Sequence, residues 1–127
     1  MIKNFLIISF TGKNNKLGLK IDNNFFVHNF QSKTNNNGNL VLSISKFINE
    51  HKANLNENFS ILINVGPGSY SSIRIAIAVA KGIKISHNIN LYGFKDNDLS
   101  QFNLENIDIL INKNLLEKNL LKPIYLS

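Results

Sequence analysis

Residues 60–86, SILINVGPGSYSSIRIAIAVAKGIKIS, constrain the fold of this chain more than any other stretch. The run 61–65 is apolar and too short for a buried helix, so it reads as a buried strand. Gly66-Pro67-Gly68 follows as a tight turn, where glycine accepts backbone angles that Cβ-bearing residues resist. Ser69 is placed to cap a helix by accepting from amides of its first turn. That helix, expected over 70–85, is apolar on nearly every side. At about 100° per residue, Ile73, Ala76, Ile77, Ala80 and Ile83 share one face, with Ile75, Val79 and Gly82 almost opposite. Arg74 and Lys81 form the clear polar stripe, and Lys84 lies near the end, where a cation suits the dipole. Such a helix needs cover on two sides. A sheet supplies one, and the small residues Ala76, Ala78, Ala80 and Gly82 would admit a second helix on the other. The expectation is a helix sandwiched between its own sheet and another protein.

At 127 residues and 43% hydrophobic content, the chain has the length for one domain with a working core. No apolar run approaches the roughly 18 residues of a membrane span, and residues 1–8 do not resemble a signal peptide. The absence of cysteine excludes disulfide and thiolate chemistry and fits a cytoplasmic protein. A net charge of +6 would suit nucleic acid or an acidic protein partner, but the lysines are scattered along the sequence.

Residues 2–9, rich in Ile and Phe, read as a central strand. The alternation over 17–21 predicts a half-exposed strand, Asn23-Asn24 a tight turn, and 25–30 a third strand closing an antiparallel meander. After a polar loop, 39–51 reads as a helix with Leu40, Ile44, Phe47 and His51 on one face. Leu42 falls on the wrong side, either as a lone exposed leucine or as part of a partner contact. Residues 89–94 read as another strand, and Asp96 is placed to cap a short helical turn through 102. In the tail, 107–111 reads as a strand, 114–121 as a helix stopping before Pro123, and 122–127 as extended. With right-handed crossovers, the order βββαβαβ is half of an actin-like (ribonuclease-H-like) fold, α/β with a mixed sheet.

The obvious chemistries fail on the residues. A P-loop needs Lys and Ser/Thr directly after its last glycine, and Gly68 is followed by Ser69-Tyr70-Ser71. A dinucleotide fingerprint would need glycine at Ser71 and an acidic residue about 20 positions on. Anion binding by the amides of Ser69, Tyr70 and Ser71 stays open, beside a purely structural turn at Gly66, Pro67, Gly68 and Ser69. Ser69 does not sit in a G-x-S-x-G elbow. His28, His51 and His87 lack metal-ligand spacing and read as structural, so no metal site is expected. Asp22, Asp96, Asp98 and Asp108 lie near turns or edges as solvated carboxylates. Where actin-fold phosphotransferases hold metal on an acidic residue at the end of strand one, this chain has Ser9-Phe10. Arg74 is the charge to single out, either as a solvated stripe residue or as an ion pair to a partner.

Residues 65–82 resemble the TsaB (YeaZ) family, with its segment G-P-G-S-[FY]-T-G-[LIV]-R-[IV]-G-[IV] ending in A-[KQ]-G. The matching residues are Gly66, Pro67, Gly68, Ser69, Tyr70, Ile73, Arg74, Ile75, Ile77, Ala80, Lys81 and Gly82. Pro123-Ile124-Tyr125-Leu126 is similar to the family's P-[LVI]-Y-L-R ending, with Ser127 in place of the Arg. Ser71-Ser72 replaces T-G, and Ile8-Ser9-Phe10 replaces I-D-T. Typical members are longer, which implies residues 1–95 as the N-terminal actin-like domain and 96–127 as a reduced remnant of the second half, packed on that domain.

The resemblance implies a non-catalytic scaffold in threonylcarbamoyladenosine modification of tRNA. Its helices would pack on a TsaD-like catalytic subunit, joined by a TsaE-like ATPase, with tRNA reached through the complex. No cofactor is implied for this chain alone; the complex uses ATP. The partner surface is expected on Leu42, Tyr70, Ile73, Arg74, Ala76, Ile77, Ala80 and Lys81. The alternatives are a small nucleotide-dependent enzyme of the actin-like group and a remnant that homodimerises through the same helix.

Overall fold

The computed structural model describes residues 2–30, 37–118 and 121–125. Strands β1 (Asn4–Ser9), β2 (Lys16–Ile21) and β3 (Asn24–Asn29) are followed by helix α1 (Asn37–Glu50), β4 (Phe59–Asn64), helix α2 (Tyr70–His87) and β5 (Asn90–Phe94). A 3-10 turn (Asp96–Asp98), helix α3 (Leu104–Asn112) and the short β6 (Glu117–Lys118) complete the order. The six strands form one sheet in the order β3-β2-β1-β4-β5-β6. β1, β4 and β5 run parallel, and β2, β3 and β6 are antiparallel to their neighbours. The mixed α/β half-actin architecture expected from the sequence is what forms.

β1 and β4 are central and buried on both faces, which explains their near-continuous apolar runs. Alternation then divides the core in two. Leu6, Ile8, Leu17, Leu19, Ile61 and Ile63 point to the face that α1 and α2 cover, joined by Leu40, Ile44, Ile73, Ala76 and Ala80. Phe5, Ile7, Leu62 and Phe94 point the other way and meet Ile107 and Leu110 of α3. His51 stacks on Phe26 with ring centroids 3.7 Å apart, a structural position as expected.

Three local expectations are corrected. Residues 107–111 lie in α3, not in a strand. Ile107-Asp108-Ile109 mimics strand alternation, but Ile107 and Leu110 recur at helical spacing, and the Asn103 side chain caps the start by accepting from the Asn106 amide at 2.8 Å. Residues 114–118 form no helix: they turn and then add β6 to the sheet edge, and 119–120 lie outside the described residues. The tight turn of the meander is Asp22-Asn23, with Asp22 at φ 54°, one residue before the expected pair.

Candidate functional site

The strand-to-helix turn is held from three directions. Asn64, at the end of β4, is buried, and its amide group donates to Ser9 Oγ at 3.1 Å and to Asp96 Oδ1 at 2.9 Å. Its Oδ1 accepts from the Gly66 amide at 2.9 Å. One side chain thus ties the ends of β1, β4 and β5 together. The Gly66–Pro67 peptide is cis, and Gly66 sits at φ 110°. A Cβ at Gly66 would run into the Ile124 carbonyl, and one at Gly68 would lie 2.6 Å from both Thr11 Cβ and the Thr11 carbonyl oxygen. Glycine is required at both positions by conformation or by space.

The turn's amides are largely committed inside the chain. Ser69 N donates to the Thr11 carbonyl at 2.8 Å and Gly68 N to the Ile124 carbonyl at 3.1 Å. Ile124 N donates in turn to the Val65 carbonyl at 2.7 Å, so the described tail, residues 121–125, is strapped along the turn. The Ser69 amide is therefore not free for an anion. Ser69 also makes no side-chain capping bond, and its hydroxyl instead approaches Ser71 Oγ at 3.4 Å.

An open cleft of about 1000 Å³ lies beyond the carboxyl ends of the parallel strands, lined by Ser9, Thr11, Lys13, Pro67, Ser69 and Asp96 among others. Ligands of open α/β sheets favour such positions. Here Ser9 stands at the end of strand one, and Asp96, expected as a solvated carboxylate, is engaged by Asn64. Among the described residues, no group of three or more His, Asp or Glu is arranged to hold a metal ion.

α1 and α2 lie side by side on the first face of the sheet. Ile73, Ala76, Ile77 and Ala80 are buried against the chain's own core, which corrects their expected place on a partner surface. The small alanines bring α2 close to its own sheet and α1 rather than to another chain. Tyr70, Arg74 and Lys81 are exposed along one stripe, continued by Ala78 and Ile85. Arg74 donates to the Tyr70 hydroxyl at 3.1 Å, and the Tyr70 ring packs against Tyr125 with centroids 4.7 Å apart. Among the described residues Arg74 has no carboxylate within ion-pair distance.

Beside that stripe, an open groove of about 640 Å³ runs between the helices, walled by Val41, Ile44 and Ile48 of α1 and Val79, Gly82 and Ile83 of α2. Val41, on the groove, is 54% exposed, and two further apolar side chains of these helices stand in solvent, Leu42 at 59% and Ile85 at 83%. α2 is thus covered by its own sheet and by α1, while Tyr70, Arg74, Ala78, Lys81, Gly82 and Ile85 stay exposed. Leu42 stands outside, as the period of α1 required. Val41, which lines the groove, and Ile85, which continues the Tyr70–Arg74 stripe, are exposed apolar side chains that periodicity alone did not mark. Their signal was present in the exposed apolar positions that a two-faced helix pair leaves over.

A mixed sheet in the order β3-β2-β1-β4-β5-β6, with α1 and α2 on one face and α3 on the other, is the arrangement of a partial actin-like α/β fold. Two solved structures share this architecture. One is described as YeaZ from Pseudomonas aeruginosa, with TM-score 0.68, 17% identity, and coverage of 76% of this chain and 46% of that one. The other is described as a protein similar to peptidase YEAZ from the same species, with TM-score 0.66, 17% identity, and coverage of 76% and 45%. Residues 31–99 match the family described as TsaD: tRNA N6-adenosine threonylcarbamoyltransferase, and the chain belongs to that family. Within it the likeness is to TsaB/YeaZ members. The chain is 39% identical over 64 residues to the tRNA threonylcarbamoyladenosine biosynthesis protein TsaB of Buchnera aphidicola subsp. Baizongia pistaciae, covering 49% of this chain and 29% of that protein. It therefore spans less than half the length of each of these relatives.

Proposed function

We propose that this chain is a non-catalytic interaction subunit that presents its α1–α2 face to a TsaD-type catalytic subunit in threonylcarbamoyladenosine modification of tRNA. The observation that carries the reading is the apolar groove between α1 and α2, left open by the chain itself and walled by Val41, Ile44, Ile48, Val79 and Ile83, with Leu42 exposed on the same helix as Val41. Arg74 and Lys81, exposed on the adjoining stripe, supply charge at its edge. A TsaE-type ATPase would join the assembled pair, tRNA would be reached through the complex, and ATP would be used by the complex rather than held by this chain alone. A second copy of this chain is the competing occupant of the same face.

Co-purification with the TsaD-type subunit of the same organism tests the proposal. Leu42→Glu and Gly82→Arg, both at exposed positions, should abolish capture while the circular dichroism of the isolated chain stays unchanged. Full capture by both folded variants would overturn the proposal. Light scattering of the isolated chain, with and without the partner, separates a homodimer from a heterodimer. The other reading, a nucleotide-dependent enzyme, draws on the cleft beside Ser9 and Gly68. ATP turnover by the isolated chain, lost in Gly68→Val, would favour it.

A further inference from the structure

The face of the sheet opposite α1 and α2 is packed by α3 over β1, β4 and β5; at its β2–β3 end the Phe25 ring closes over Gly18, Lys16 and Lys20 are half-buried, and Val27 and Asn29 are exposed. Register places Lys16, Gly18 and Lys20 of β2 on this face, beside Asn29, Val27 and Phe25 of β3. Val27 is 43% exposed. The Phe25 and Phe102 rings lie 6.5 Å apart, and the Lys16 ammonium stands 5.8 Å from the centre of the Phe102 ring. Lys20 Nζ donates to the Lys3 carbonyl at 3.0 Å, which fixes the far end of the row. Lys13, on the loop between β1 and β2, continues it into the cleft.

Three lysines close in sequence, Lys13, Lys16 and Lys20, thus form one strip beside the Phe25 and Phe102 rings. No carboxylate occupies any of the six β2 and β3 positions on this face. Asp22 lies in the β2–β3 turn, Asp96 in the cleft and Glu105 at the start of α3. Gly18 is buried and lets the Phe25 ring lie across the middle of the strip, since a Cβ there would lie 2.7 Å from Ile7 and 2.8 Å from that ring. Four residues of strand set Lys16 and Lys20 about 13 Å apart, room for a base between two cationic ends.

We propose that this strip binds single-stranded RNA, with backbone phosphates on Lys13, Lys16 and Lys20 and a base resting on the Phe25–Phe102 pair. A cationic track with interleaved aromatic faces is the arrangement that holds single strands without reading their sequence. An acidic peptide would use the lysines but gains nothing specific from the two aromatic rings, which are tilted 40° to each other. The proposal stands apart from the partner reading, because the strip and the α1–α2 groove lie on opposite faces of the sheet.

The test is fluorescence anisotropy of a labelled oligoribonucleotide of mixed sequence titrated with the full chain over a salt series. Wild type should bind with log affinity falling linearly against log salt. Lys16→Gln with Lys20→Gln should flatten that slope by about 1.4, from about 0.7 per lost phosphate contact on a single strand. Phe102→Leu, which keeps an apolar group in place, should weaken binding about tenfold through lost stacking. Lys81→Gln with Lys84→Gln, on the other face, should change little. No binding by wild type at low salt would overturn the proposal. So would an equal loss in the α2 control pair, or equal binding of an acidic peptide that displaces the RNA. Capture of the TsaD-type subunit by the Lys16/Lys20 variant, measured alongside, distinguishes failure here from failure of the partner reading.

Discussion

Gly82 offers the sharpest separation of monomer stability from partner binding. It lies within α2, is exposed, and a Cβ built on it meets nothing within 4 Å. Glycine inside a helix is less favourable than alanine by about 0.8–1.0 kcal/mol, so Gly82→Ala should stabilise the isolated chain by that amount. With an unfolding entropy of about 2.1 cal/mol/K per residue and 127 residues, 1 kcal/mol corresponds to about 4 °C in Tm. Differential scanning calorimetry at a concentration where light scattering reports monomer should show that rise. Arginine is nearly as good a helix former as alanine, so Gly82→Arg should also raise Tm while blocking the groove against a partner. A fall in Tm for Gly82→Ala would refute the reasoning, because it would mean that the position is occupied or its backbone distorted. A Tm rise with undiminished partner binding by Gly82→Arg would leave the helix intact but remove the groove from the interface.

Other perturbations test the parts that hold the site. Asn64→Ala removes three hydrogen bonds from a buried position, and should lower stability by about 2–3 kcal/mol in urea titration. Ile124→Pro deletes the donor to the Val65 carbonyl and should cost about 1 kcal/mol, with increased amide exchange at 65–69. Ala80→Arg places a charge where the chain is fully buried, so it should yield insoluble or unfolded protein. A soluble Ala80→Arg monomer that merely fails to bind a partner would instead restore Ala80 to the interface.

The fold was legible where patterns ran long. The apolar run ending at Val65, the glycine turn and the α2 periodicity fixed the centre, and alternation in 17–21 fixed the meander. The tail was misread because Ile107-Asp108-Ile109 carries strand alternation over too few residues to decide, and because the pairing of Glu117 with Gly93 is non-local. The Asn64 hub was invisible for the same reason: its partners are 55 and 32 residues away in sequence. At the site, periodicity correctly divided α2 into two apolar faces but could not say which face the sheet would take. The chain's own core took Ile73, Ala76, Ile77 and Ala80, leaving Val79 and Gly82 to line the groove. Lys16 and Lys20 are near neighbours in sequence, but only strand register sets Lys20 opposite Phe25, and only the fold brings Phe102 to Lys16.

Hydrogen–deuterium exchange of the chain, alone and mixed with the TsaD-type subunit, tests the central claim most directly. The account predicts slowed exchange in 40–49 and 75–87, the two helical segments that flank the groove, with β2 and β3 unchanged. Complex formation that leaves both segments exchanging as in the free chain would contradict it.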